Sequence, residues 1–384
     1  MENKTHYNDL APYAVLNTRG RVYEEPISDL SKLIEIRDRS DFQKDRDRII
    51  HSTSFRRLAY KTQVFLNNGD GGLFRNRLTH SLEVSQIGRS LAYALKVNSD
   101  LVEAICLAHD LGHTPFGHCG QDVLNQCLKQ YNDSRFEHNM QSLRIVDKLE
   151  KRYVAYDGLN LCFETREGIL KHCSYNLQQK LSTDLSFRFI NKKSPSLEAQ
   201  IANIADEIAY NHHDLDDGLR AGIINMNQLV ESLPYVKTYY LKIKQQYQNL
   251  DINLFRKELI RNLLNDTVVS LLISSNNNIK QAKVKSINDV RDSAELIKYD
   301  ELMLKQQKSL KKFLMDSLYR HPQVMAVRIN NAQLITDIFN YLISNPTQLP
   351  KLYYERIKNS PARAVADYIS GMTDKFALDF LIDK

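Results

Sequence analysis

Glycine and proline are scarce in this chain, 13 and 9 among 384 residues, and no other feature limits its possible folds as strongly. A chain that reverses often needs residues that supply positive φ or preset φ for a turn. With so few, the sequence suits long elements joined by few connections. Most long segments also space their apolar residues three or four apart, the period of one helix face. The expected fold is all-α. At 42% hydrophobic residues the chain can bury a large core in one big domain or two intimate ones. No apolar run approaches the length of a bilayer span. The opening MENKTHYNDLAPYAVLNTRG lacks the basic start, apolar stretch and small-residue cleavage site of a secretory signal. A cytoplasmic protein without membrane contact is expected.

The segments order themselves around punctuation. NNGDGG at 67–72 reads as the clearest loop, followed by a helix carrying His80. The next helix is expected to start at an N-cap near Asp100 and to run to Asp110. Gly112, Pro115 and Gly117 then break regular helix, which puts His113 and His118 on an irregular segment. GQDVLNQCLKQY looks helical again. Ser194–Pro195 suits an N-cap with proline at the first helical position, opening a helix through SLEAQIANIADEIAYNHHDL. Amphipathic segments follow, with SSNNN at 274–278 read as an interruption. The expected organisation is an N-terminal segment at 1–49 packing on a core at 50–220, with C-terminal helices from 221 to 384.

Five cysteines (106, 119, 127, 162 and 173) are an odd number without CxxC pairs, so neither a disulfide framework nor a zinc ribbon is indicated. Histidines and carboxylates are another matter. AICLAHDLGHTPFGHCGQ, residues 104 to 121, sets His109, Asp110, His113 and His118 among apolar or small neighbours. His109 and Asp110 close an apolar helix and differ by about 100° in direction, so both can reach one ion from the helix end. His80 lies 29 positions before His109, and Asp206 lies 96 positions after Asp110, each inside an apolar-flanked helix. Singly, each reads as a packed or capping residue. Together, two imidazoles and two carboxylates form a mixed N/O set suited to Mn²⁺, Fe²⁺, Co²⁺, Ni²⁺ or Zn²⁺.

Net charge is +6, compatible with an anionic ligand. Arg37, Arg39, Lys44, Arg46, Arg48, Arg56, Arg57, Lys61, Arg75 and Arg77 crowd the first quarter. Acidic residues interleave with the earlier members, which favours a salt-bridged surface. The later five have few acidic neighbours and read equally as phosphate-binding or as solvated.

These motifs, with RIIHSTSFRRLAYKTQVF (48–65), RNRLTHSLEV (75–84), FEHNMQSLRI (136–145) and IADEIAYNHHDLDDGL (204–219), resemble the HD-domain phosphohydrolases. The closer resemblance is to the deoxyguanosinetriphosphate triphosphohydrolase-like subfamily, and HPQVMAVR and RAVADYISGMTDKFAL extend it to the C-terminal tail. The resemblance implies an all-α HD-domain helical core, an oligomer, and metal-dependent cleavage of a deoxynucleoside triphosphate into deoxynucleoside and inorganic triphosphate. By matching motif positions it implies His80, His109, Asp110 and Asp206 as ligands of a divalent ion such as Mn²⁺, Mg²⁺ or Co²⁺. It implies His113, His118 and His138 as active-site histidines. Gln63, Tyr210 and Asp214 would meet the sugar and Arg77 the phosphates.

Asp206, Tyr210 and Asp214 follow at i, i+4 and so share one helix stripe. Tyrosine can stack on deoxyribose and Asp214 can accept from a 3′-hydroxyl; the other reading is an exposed aromatic and a helix C-cap. His118 is the first choice for proton transfer, because imidazole titrates near neutral pH. Lys61 or one of Arg56 and Arg57 is expected to help Arg77 hold the triphosphate. One departure stands out: relatives carry a carboxylate three residues after the position of His118, where this chain has Gln121. That leaves alternatives open: an HD phosphohydrolase of the 5′-nucleotidase type, or a dNTP sensor or single-stranded nucleic-acid binder with weakened catalysis.

Overall fold

The computed structural model describes residues 9–24, 39–64, 74–171, 179, 181–358 and 360–382. The NNGDGG loop, Arg37 and Cys173 lie outside the described residues. The protein is all-α: among the described residues there is no β-strand, only isolated bridges at Thr62–Asn76 and Lys151–Gly158.

Polar caps define where the helices begin. Helix α1, Asp41–Ile50, opens on a capping box in which Ser40 and Gln43 satisfy each other's backbone N–H. Asn76 and Thr79 form the same device at the head of α2, Arg77–Leu95, which ends at Lys96 in the left-handed region. Helix α3 spans Ser99–Ala108. Its N-cap is Asn98, whose side chain accepts from Leu101 N, and not the expected Asp100. Asp100 instead sits in the first turn, where its charge suits the helix dipole and its carboxylate accepts from Ser40 Oγ. His109 follows as the C-cap, so the helix stops at Ala108, two residues short of the expected end at Asp110.

Helix α4 covers His118–Gln130, which moves His118 off the irregular segment and onto the first helical position. Next come α5, His138–Arg144, and α6, Phe163–Ile169. Helix α7 runs Leu197–Arg220 from N-cap Ser196. The Ser194–Pro195 start is displaced by two residues because Ser196 Oγ captures Ala199 N, while Pro195 offers only its carbonyl, to Gln200.

In the C-terminal half, α8 (Ile252–Ala282) passes straight through SSNNN. Packing overrides that segment's weak propensity: Ser275 is fully buried and Asn278 donates to Leu296 O. Helices α9 (Glu301–Leu314), α10 (Pro322–Ser344) and α11 (Pro361–Ser370) complete the principal set.

The site rests on one tightly packed group. Helices α2, α3 and α7 lie against one another, with α1 on α3 and α8 on α7. Leu91, Leu101, Ile105, Ile201, Ala205 and Ile208 are fully buried between them. Each larger aliphatic side chain there contributes about 1.5–3 kcal/mol of burial. Across the histidine turn, α10 and α11 pack on α4 around Leu124, Leu128, Ile335, Phe339 and Ile369. Residues 14–15 join the α2–α3–α7 core, where the buried Glu198 carboxylate accepts from Val15 N and Asn98 N.

Candidate metal centre and nucleotide cavity

Three helices deliver the ligand set. His80 comes from α2, His109 and Asp110 from the end of α3, and Asp206 from the middle of α7. One ligand atom from each of His80, His109 and Asp110 lies within 4.8 Å of the others, all three residues buried. Asp206 Oδ1 is 3.0 Å from His80 Nε2 and 3.3 Å from His109 Nε2.

The protonation of these rings follows from their other nitrogens. His109 Nδ1–H donates to Cys106 O at 2.6 Å, so in the neutral ring Nε2 carries the lone pair. Burial alone would lower this imidazole, but the charges of Asp110 and Asp206 raise it above its ordinary value, so a cation at Nε2 is favoured. That buried Nε2 has no well-formed hydrogen bond, although it faces Asp110 Oδ1 and Asp206 Oδ1, both at 3.3 Å. His80 is fixed through a chain. His213 Nε2 lies 2.7 Å from Glu83 Oε2, and its Nδ1 lies 3.4 Å from His80 Nδ1. Burial keeps His213 below the ordinary imidazole value despite Glu83, so its single hydrogen goes to the carboxylate and its Nδ1 accepts from His80. The His80 lone pair is then on Nε2, again facing Asp206. These ring nitrogens face carboxylate oxygens at 3.0–3.3 Å, an arrangement that needs a proton or a metal cation between them. The donors fit a divalent ion with imidazole and carboxylate ligands.

Charge around the set is arranged to keep both acids ionised. Burial alone would favour neutral Asp110, but His109, His113 and Arg77 hold it well below the usual carboxylate range. For Asp206 the same opposition to burial comes from Lys171 and His109. Arg77 is buried and donates to Asp110 Oδ2 at 2.9 Å, and Lys171 Nζ pairs with Asp206 Oδ2. Lys171 escaped the sequence reading. Its only signal is a lysine set among the apolar residues of GILKH, which gives no hint of what it meets.

The histidine turn is seated by close approach. Gly112 N donates to Ser142 Oγ, which in turn donates to His109 O. A Cβ at Gly112 would stand 2.2 Å from both His138 O and Ser142 N. Gly117 takes φ +59°, and a Cβ there would meet Arg77 at 2.9 Å. This packing gathers His113, His118 and His138 into one cluster: His113 stacks on His138 at 4.2 Å between centroids, and His118 meets both edge-on. His113 Nε2 also reaches Asp110 Oδ1 at 3.1 Å. Burial, then the Arg77 charge, lowers His118.

His118 opens into a cavity of about 330 Å³ shared with Gln63, Tyr210 and Tyr319 and walled by apolar Phe116 and Val327. Gln63 Oε1 is buried there with no hydrogen-bond partner among the described residues. Tyr210 stacks on Tyr319, and Asp214, one turn further along α7, accepts from Tyr319 O–H at 2.5 Å. The C-cap reading of Asp214 therefore fails, since α7 continues to Arg220. Tyr319 is a second residue missed from sequence, because nothing local ties LYRHP to α7.

Several basic residues do not reach the site. Lys61 is buried, burial pulls it down to about 7, and its Nζ donates to His113 O and Ser370 O. Arg56 donates to His51 O and Arg57 to Gly371 O. Main-chain carbonyls have claimed all three expected helpers of Arg77. Arg39, Lys44 and Arg46 form the expected surface ion pairs, with Asp47, Asp41 and Asp47. Arg75 is tied to Glu83, Asp216 and Asp217. The four described cysteines are free and buried. No helix among the described residues is long and apolar enough to cross a membrane.

Comparison with known proteins agrees with this geometry. The HD domain matches residues 77–211, and a phosphohydrolase-associated domain matches 297–381. Together with a buried His/Asp set at the α2–α3–α7 crossing, these define an HD-domain phosphohydrolase. A deoxyguanosinetriphosphate triphosphohydrolase-like protein of Ralstonia nicotianae is 50% identical over 96% of this chain and 92% of its own length. Those of Thiobacillus denitrificans and Nitrosomonas europaea are 48% and 49% identical, over 96% and 97% of this chain and 95% and 96% of their own lengths. The chain belongs to the deoxyguanosinetriphosphate triphosphohydrolase-like family.

Proposed function

We propose that the protein hydrolyses deoxynucleoside triphosphates to the deoxynucleoside and inorganic triphosphate. One observation carries the reading: the stripe of Asp206, Tyr210 and Asp214 on α7 runs from the lone-pair-lined ligand set into the cavity where Gln63 waits unpartnered. An α-phosphate at one end and a deoxyribose at the other match that sequence of groups. His80, His109, Asp110 and Asp206 would hold a divalent ion, which supplies Lewis-acid polarisation of a phosphate oxygen when bound.

The chain's own groups account for the rest. Arg77 and Lys171 bring positive charge to either side of the ligand carboxylates, suited to the α-phosphate and its neighbours. Hydrolysis joins a water oxygen to the α-phosphorus, breaks its bond to O5′, and returns a proton to O5′. His118, lowered and therefore neutral at pH 7, can accept a proton and pass it on. Tyr210 offers a face to deoxyribose, where a ribose 2′-hydroxyl would collide. Asp214, now satisfied by Tyr319, offers its carboxylate to a 3′-hydroxyl.

An assay of purified protein with Mn²⁺, Mg²⁺ and Co²⁺ against the four dNTPs, the NTPs and nucleoside monophosphates tests the reading. Triphosphate should be released from dNTPs and not from NTPs. Orthophosphate from a monophosphate, or no triphosphate from any nucleotide, would overturn it.

A further inference from the structure

Gln121 does not serve His118. Its amide is turned toward α5, where Oε1 accepts from the His138 main-chain N–H at 3.1 Å and from ring Nδ1 at 2.7 Å. The main-chain N–H can only donate, so the amide atom facing it must be the oxygen, whichever way the amide would otherwise be turned. An amide oxygen can only accept, so the ring nitrogen facing it must carry a hydrogen. A neutral imidazole protonated on Nδ1 keeps its lone pair on Nε2, the nitrogen turned away from Gln121. Asp122 offers no alternative support for His118, because it pairs with Arg328 at 2.6 Å.

We propose that Gln121 is a positioning residue that locks His138 as its Nδ1–H tautomer and so presents His138 Nε2 as a hydrogen-bond acceptor for the attacking water. The inference rests on the hydrolase reading above and assigns His138 within it. A lone pair repels an ionised phosphate oxygen, so among the groups of the reaction the one suited to Nε2 is water, which brings a hydrogen. The groups around the ring hold this state: His113 and His118 beside it, with Asp110, Arg77 and Lys171 beyond. Burial pulls His138 down to about 3, the Asp110 charge notwithstanding, so Nε2 stays unprotonated across the working range. A carboxylate at 121 would stabilise an imidazolium; an amide does not.

Long-range ¹H–¹⁵N correlation on histidine-labelled protein reads the tautomer directly, the signal being identified by its loss in His138→Gln. The Nδ1–H form is expected in the unaltered protein, and the Nε2–H form there would overturn the proposal. Gln121→Leu should release the tautomer and lower kcat by about tenfold or more, with KM within about twofold. Gln121→Asn, too short to reach the ring, serves as a second variant should the leucine protein fail to fold. Gln121→Glu should keep Nδ1–H, recover kcat relative to Gln121→Leu, and move the acid limb of kcat upward by about one pH unit. Unchanged kcat and tautomer in both shortened or apolar variants would sink the positioning role. Should no nucleotide be hydrolysed at all, the tautomer measurement still decides what Gln121 does, separately from the hydrolase reading.

Discussion

Glu83 never touches the ligand set, yet it reaches His80 by way of His213, whose Nε2 lies 2.7 Å from Glu83 and whose Nδ1 lies 3.4 Å from His80 Nδ1. Despite its burial, His213 and Arg75 hold its carboxyl down to about 2, so the anchor is charged at any ordinary pH. Outer partners of this kind tune metal affinity about 10- to 100-fold. Glu83→Leu should weaken Mn²⁺ binding by that order in a chelator competition, and His213→Leu should do the same without adding to it. Affinity unchanged in both variants would show that His80 orients itself. Asp214 offers a test with the opposite sign. Burial raises its carboxyl to about 7, above the ~3.9 of an unfolded aspartate. Between those values the folded chain binds the extra proton, so stability falls as pH rises and the penalty is complete above 7. Asp214→Asn should therefore raise the melting temperature at pH 8 but change it little at pH 4, while weakening KM for a dNTP. A melting shift equal at both pH values would refute the linkage.

At the scale of the element, the histidine turn depends on helix α5 coming closer than a side chain allows. Gly112→Ala would force a Cβ against backbone atoms, not against a side chain that can rotate away. A cost of about 1–3 kcal/mol in stability is expected, and loss of about 10²-fold in kcat, since catalytic geometry tolerates little displacement. Denaturant melts and steady-state assays would show both; full activity would mean that α5 moves with the turn. Elements are also where sequence reading worked and where it stopped. The apolar period gave α2, α3 and α7, because those helices bury one face each in a common core. His80 and Asp206 read singly as packed residues, and it is the resemblance that joins them to His109 and Asp110; the structure brings His80, His109 and Asp110 within 4.8 Å of one another, with Asp206 beside them. What failed was partnership. SSNNN passed for a break, though α8 buries Ser275; Lys61 passed for a phosphate ligand, though its ammonium ties His113 O to Ser370 O. Lys171, Tyr319 and the Gln121–His138 pairing depend on contacts between distant segments, which no local pattern records.

For the molecule as a whole, the site is a crossing point of helices carrying opposed charges. Asp110 is ionised and buried, and Asp206 is ionised and half-buried, both beside the His80 and His109 rings, so a bound cation should stabilise the folded chain as well as its chemistry. At a free Mn²⁺ concentration of 100 times Kd the gain is about 2.7 kcal/mol. Stripping metal with EDTA should lower the melting temperature by several degrees, and Asp110→Ala should abolish that difference. An unaltered melt would place the ion elsewhere.

One carboxylate near the end of the chain carries a consequence for the order of assembly. Asp374 accepts from Thr62 N with one oxygen and from Phe116 N with the other, and Lys61 reaches Ser370 O beside it. The segment that bears Gln63 and the turn that bears His113 are thus latched by residues synthesised more than 250 positions after them. During translation the helices that carry His80 and His109 can form early, while the cavity beside His118 stays unlatched until residue 374 has left the ribosome. A chain cut short before that point would lack the latch.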